Sequence, residues 1–153
     1  MTIKRRKQAP TVGDISADAV FRHAPGGHIV YGTWVFRSRA PLEIVLRLNV
    51  GRRAFVEWVF ARNSLDEAIA FPGPIHGTGD VRMQVDPFDD SLSINLRSPS
   101  GGCVLLGSMS DAYDFLASTC DMIPICDNVD ETCNISHCQE HELIWQCEEQ
   151  IGD

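Results

Sequence analysis

Positive charge is missing from the end of this chain. All 13 Lys and Arg residues lie before position 121, while nine of the 21 Asp and Glu residues lie from Asp121 onward. The first 120 residues therefore carry a net charge of +1 and the last 33 a net charge of −9, which makes −8 in all. An acidic end on a nearly neutral body lacks the basic footprint of a dedicated nucleic-acid binder. Long apolar runs are missing too, and none approaches the ~20 residues needed to span a bilayer. Lys4, Arg5, Arg6 and Lys7 are followed by no apolar stretch, so a secretory signal is not expected. The expectation is a cytoplasmic protein in which Cys103 and Cys120 stay reduced.

Catalytic signatures are also absent. There is no Gly-x-Ser-x-Gly elbow, no His-Glu-x-x-His pair and no Cys-x-x-Cys, and the histidines His23, His28, His76, His137 and His141 are scattered. Gly77-Thr78-Gly79-Asp80 lacks the Gly-Lys-Ser/Thr ending of a phosphate loop. It also precedes a strand-like segment where such a loop would open a helix. A tight loop whose glycines supply positive φ is expected instead. Asp89-Asp90 falls in a turn, where a solvated pair is the default. No catalytic residue and no cofactor is expected.

What is present is ordinary globular composition: 153 residues, 44% hydrophobic and 22% charged. That suits one domain with a single core. Residues 1–27, ending in Pro25-Gly26-Gly27, are expected to form a mobile arm. Ile29 to Phe36 is rich in β-branched and aromatic residues, and Leu42 to Val50 alternates with period two, so both are expected to be strands. Gly51-Arg52 turns the chain into a third strand, Phe55 to Phe60. Ser64 and Glu67 have capping-box spacing for a short helix, which Phe71-Pro72-Gly73-Pro74 ends. Val81-Met83-Val85 and Leu92-Ile94-Leu96 alternate across Asp86-Pro87-Phe88-Asp89-Asp90 as a second hairpin. Ser98-Pro99-Ser100-Gly101-Gly102 turns into a strand at Cys103 to Leu106. Ser110 is placed to cap a helix with Tyr113, Leu116, Ala117 and Cys120 on one face, ended by Pro124. Strands predominate without βαβ alternation, so the expected class is α+β on mostly antiparallel β-sheets with two helices.

Residues 126–153 are expected to be an acidic, Cys-rich and largely disordered tail. Cys126, Cys133, Cys138 and Cys147 accompany His137 and His141 there. Cys133, His137, Cys138 and His141 have the ligand types of a zinc site but not the spacing of a ribbon or finger, so no metal is assigned. Leu143, Ile144, Trp145 and Ile151 offer the segment apolar docking points.

Trp58-Val59-Phe60-Ala61-Arg62 resembles the "WVFAR" motif of the SsgA-like family of actinomycete sporulation and cell division regulators. The family's next features, a Leu-containing helix and a "GxGDVR" turn, are matched by Ser64 to Ile69 and by Gly77-Thr78-Gly79-Asp80-Val81-Arg82. Leu96-Arg97-Ser98-Pro99-Ser100-Gly101 is similar to its "LSSPSG" turn. Each piece is weak alone, but the ordered set over residues 28–125 is specific. The chain departs from the family at Arg39-Ala40-Pro41-Leu42, around Pro74-Ile75-His76 and in the Cys-rich tail. The motif residues are thus Trp58, Phe60, Arg62, Gly79, Asp80, Arg82, Ser98, Pro99 and Gly101. Trp58 and Phe60 are expected in the core, with Arg62 paired locally.

The resemblance implies a whirly-like fold, assembly as a homotrimer, and a non-enzymatic role in septation. It implies an adaptor that localises at the septum and acts on the tubulin-like GTPase FtsZ or on other SsgA-like proteins. Arg52 and Arg53, at the tip of the first hairpin, are the candidate partner contacts. Two alternatives stay open. A whirly-like fold can bind single-stranded nucleic acid, here through Arg37, Arg39, Arg47, Arg52 and Arg53 with Tyr31 and Trp34. The Cys/His tail could instead sense metal or redox state.

Overall fold

The computed structural model describes residues 2–5 and 13–125. Ten elements follow in chain order: β1 (Thr2–Arg5), β2 (Asp14–Ala24), β3 (Ile29–Arg37), β4 (Glu43–Asn49), β5 (Ala54–Ala61), α1 (Arg62–Ala70), β6 (Val81–Val85), β7 (Ser91–Ser98), β8 (Gly101–Ser108) and α2 (Met109–Met122). All eight strands join one antiparallel sheet in the order β1-β5-β4-β3-β2-β8-β7-β6. The α+β class, the antiparallel pairing and the two helices are as expected from the sequence. The readings of residues 126–153, including the Cys/His cluster, lie outside the described residues.

Residues 14–24 correct the sequence-based picture, because they are a strand and not part of a mobile arm. β2 pairs with β3 from Asp14↔Arg37 to Arg22↔Ile29, and with β8 from Arg22↔Leu106 to Ala24↔Val104. Ile15, Ala17, Ala19 and Phe21 alternate inward, but two alanines make the period-two signal faint. Pro25-Gly26-Gly27 is the turn of the β2–β3 hairpin, where His23 N–H donates to His28 C=O at 2.8 Å. Gly27 there takes a φ of +84°, a conformation suited to glycine. Without β2 the sheet would fall into two groups, β1 with β3 to β5, and β6 to β8. With it the sheet is continuous.

One face of the curled sheet and both helices enclose the core. Trp34 is its hub: its ring stacks on Phe115 of α2 at 5.9 Å and meets Phe21 and Phe60 edge-on at 5.9 and 6.3 Å. Such pairs contribute about 1 kcal/mol each beyond the area they bury. Ile44, Leu46, Leu65, Leu92, Ile94 and Leu105 fill the space around it.

Both helices start elsewhere than expected. α1 is capped by Ala61 with no side-chain bond, so the Ser64/Glu67 box is not used. The helix begins directly off β5, and Arg62 N–H still completes the sheet by donating to Leu42 C=O at 2.8 Å. The cap of α2 is Ser108, not Ser110, and its Oγ accepts from Asp111 N–H at 3.1 Å. Its buried stripe is Ala112, Phe115, Leu116 and Thr119, one residue round from the expected face, and Tyr113 is exposed. Phe115 decides that rotation through its contact with Trp34.

Candidate binding cleft

Two motif segments far apart in sequence meet at one place. The end of β5 and the first turn of α1 face the loop into β6 across a cleft of about 340 Å³, lined by Glu57 to Ala61, Ser64, Thr78, Asp80 and Val81. The loop is shaped by glycine. Gly77 has φ of +99°, and a Cβ there would sit 2.7 Å from Val81 C=O. Gly79 has φ of +70°, in keeping with the positive φ expected of this loop. Asp80 and Arg82 are exposed, and Asp80 C=O accepts from Arg97 N–H at 2.9 Å.

Trp58 and Phe60 are buried on the inner face of β5, as their strand alternation requires. Arg62 goes further than local pairing, being fully buried. Its guanidinium donates to Thr119 Oγ1 at 3.1 Å and lies 4.9 Å from the centroid of the Phe36 ring. Thr119 Oγ1 in turn donates to Leu116 C=O at 2.7 Å. Arg62 therefore joins the start of α1 to the last turns of α2. A cation on the first residue of a helix opposes the helix dipole. That mismatch is the one local hint that Arg62 is held by tertiary contacts.

Ser98, Pro99 and Gly101 form the β7–β8 turn. Ser98 Oγ donates to Gly101 C=O at 3.1 Å, and Gly101 has φ of +137°. Arg52 and Arg53 are exposed at the β4–β5 turn. They sit at the opposite end of β5 from the cleft, with Arg53 four residues, about 14 Å of strand, from its nearest lining residue Glu57.

Sequence inspection missed two polar centres. Glu57 is buried on the outer face of β5, where its Oε2 accepts from Arg47 Nε at 3.0 Å and pairs with Arg37 at 3.7 Å. Arg47 also lies 4.7 Å from the Phe55 ring centroid. Asp90, read as one of a solvated pair, anchors α2. It accepts from Ser110 Oγ at 2.7 Å, Ser110 N–H at 2.8 Å and Ser108 Oγ at 3.0 Å. The Ser110 hydroxyl first, then its N–H and the Ser108 hydroxyl, hold the Asp90 carboxyl below its ordinary pKa. The partners lie 18 and 20 residues away, so only Ser108-x-Ser110 before a helix signals them.

The residues proposed for a nucleic-acid platform are brought together only in part, since Tyr31, Arg37 and Arg47 share the outer face without Trp34. Trp34 is in the core and Tyr31 is exposed on the other face of β3, while Arg37 and Arg47 converge on Glu57. Among the described residues no His, Cys, Asp and Glu cluster could hold a metal, and no helix is long and apolar enough to cross a membrane. Cys103 is a free thiol, and burial raises its pKa.

The family model described as "Streptomyces sporulation and cell division protein, SsgA" matches residues 30–127. The chain belongs to the SsgA family. Among curated members it is 35% identical over 89 residues to the sporulation-specific cell division protein SsgB of Saccharopolyspora erythraea, covering 58% of this chain and 61% of that protein. It is 39% identical over 75 residues to SsgB of Kineococcus radiotolerans, covering 45% and 42%. The chain thus spans less than two thirds of the length of these two SsgA-family relatives. A structure titled for mutations in SsgB that correlate with longitudinal cell division during sporulation of Streptomyces coelicolor superposes with a TM-score of 0.64. The two are 26% identical, and the match covers 72% of this chain and 89% of that one. An SsgA-like sporulation-specific cell division protein from Thermobifida fusca shares the fold, with a TM-score of 0.63, 24% identity and coverage of 76% and 87%.

Proposed function

We propose that this SsgA-family chain is a non-enzymatic regulator of sporulation-specific cell division. It acts as an adaptor in the cytoplasm at the septum, where it localises or promotes the FtsZ division machinery. The observation that carries this reading is the family match over residues 30–127, to a family described by sporulation and cell division. An adaptor works through surface complementarity, so its effect depends on exposed residues and on concentration. Arg52 and Arg53 are proposed as one contact surface, because they are exposed at the β4–β5 turn.

Septum counts and FtsZ localisation in a strain lacking the protein test this reading. Complementation with Arg52→Ala plus Arg53→Ala is expected to lower septation while changing stability by no more than about 0.5 kcal/mol. Trp58→Ala is the matched core change and is expected to cost about 3–5 kcal/mol, removing function through unfolding. Unchanged septation and unchanged FtsZ placement in the deletion strain would sink the division role. Loss of the Arg pair without effect would move the contact surface elsewhere on the molecule.

A further inference from the structure

We propose that the cleft between the end of β5 and the start of β6 is a strand-addition site for an extended, basic peptide segment of a partner protein. The proposal rests on the adaptor reading and names the contact such an adaptor makes.

In an antiparallel ladder the N–H and C=O of one residue point to the same side, and the side alternates along the strand. Arg62 N–H donates to Leu42 C=O at 2.8 Å, and Ala54 C=O accepts from Val50 N–H at 3.2 Å, both toward β4. The even-numbered residues of β5 therefore bond to β4. Phe55, Glu57, Val59 and Ala61 present their backbone groups to the opposite side. β1 satisfies the first two, since Lys4 pairs with Phe55 and Thr2 with Glu57. Beyond Glu57 no described strand lies on that side. The N–H and C=O of Val59 and the N–H of Ala61 are left there, while Ala61 C=O serves as the cap carbonyl of α1.

The same alternation applies to β6. Asp80 C=O accepts from Arg97 N–H at 2.9 Å and Asp86 N–H donates to Ser91 C=O at 3.0 Å, both toward β7. Val81, Met83 and Val85 thus face outward. Met83 exchanges both bonds with His76, at 2.8 and 2.9 Å, and Val85 C=O accepts from Gly73 N–H at 2.9 Å. Val81 N–H remains beside the cleft, while Val81 C=O lies against Gly77 of the same loop. Two outward strand edges therefore border one cleft of about 340 Å³, and neither is closed there by a described strand.

An extended peptide is the ligand whose donors and acceptors recur at the strand repeat, so it matches such an edge. The lining also selects its charge. Asp80 is exposed at the cleft, the carboxylate of Glu57 is held by Arg47 and Arg37, and no Lys or Arg is among the lining residues. A segment bearing Lys or Arg opposite Asp80 is favoured over an acidic one. The chain's own residues 126–153, with acids and no base, are disfavoured as the occupant.

Panning the full-length protein against a displayed library of random linear peptides tests this. Enriched peptides are expected to be rich in Lys or Arg and to slow amide hydrogen exchange at Val59 and Val81 when bound. Val59→Pro removes the edge N–H without touching the β4 ladder, and is expected to weaken binding at least about tenfold, whereas Val59→Ala keeps it within about twofold. Where Val59→Pro fails to fold, the exchange measurement on the unmodified protein decides alone. Enrichment of no linear sequence would overturn the proposal, as would bound peptides that leave exchange at Val59 and Val81 unchanged. Co-sedimentation with purified FtsZ is scored separately. Its failure beside successful peptide capture would sink the adaptor reading and keep the strand site.

Discussion

Asp90 and Arg62 are the side chains whose roles are set by distant partners. Three hydrogen bonds from Ser110 and Ser108 stabilise the ionised form of Asp90, and they also tie the β6–β7 turn to the start of α2. A carboxyl with a depressed folded-state pKa contributes stability that is present above its ordinary value. That stability is lost as the pH falls through the folded-state value. Asp90→Asn is therefore expected to destabilise the protein at pH 7, with the difference from the unmodified protein shrinking as the solution is acidified. Urea denaturation of both proteins at a series of pH values checks this, and a difference constant from pH 7 to pH 3 would contradict it. Arg62 was legible as part of a motif but not as a buried residue. Its contacts to Thr119 and Phe36 depend on how α1 and α2 pack, which no local pattern encodes.

At the scale of elements, the decisive one is β2. Its inward residues Ala17 and Ala19 lie opposite Trp34 and Gly32 of β3. Small side chains make room there for the Trp34 indole, and the same small size hid the strand from a hydrophobicity pattern. Phe21 marks the junction with β8, since it is buried against Trp34 and a Cβ at Gly107 would meet its ring at 2.8 Å. If residues 1–27 were a mobile arm, Phe21→Ala would leave stability unchanged. The sheet order instead sets an expected loss of about 3–5 kcal/mol, measured by chemical denaturation. β1, also inside the expected mobile arm, was not legible either, whereas β3 to β8 and both helices were, because their alternation is strong and their turns carry Gly, Pro and Asp. Helix starts were less so, because the cap of α1 is a strand residue and that of α2 answers to Asp90.

At the scale of the whole molecule, the outer face of the sheet leaves Val20, Ile29, Tyr31 and Leu106 exposed. The register sets Val20 directly across from Tyr31, and Arg22 across from both Ile29 and Leu106. These exposed apolar side chains cluster around Arg22 on one face, and such a surface is one that self-association buries. We propose, in line with the family resemblance, that copies of the chain assemble as a homotrimer. Light scattering at micromolar concentration is expected to give a mass close to three copies of the 17.0 kDa chain. A monomer mass would count against the trimer.

The sequence by itself determined the element types, most of their order and the family, because period-two alternation, turn residues and motif order are all local properties of the chain. It also placed Trp58 and Phe60 on a buried strand face. Only the tertiary structure decided that β2 joins the two halves of the sheet, that Arg62 lies in the core, and that Trp58 to Ala61 and Thr78 to Val81 share one cleft. Each of these depends on which strand edges meet when the sheet curls. That is settled by packing around Trp34 and by backbone hydrogen bonds between residues far apart in sequence, which no local pattern records.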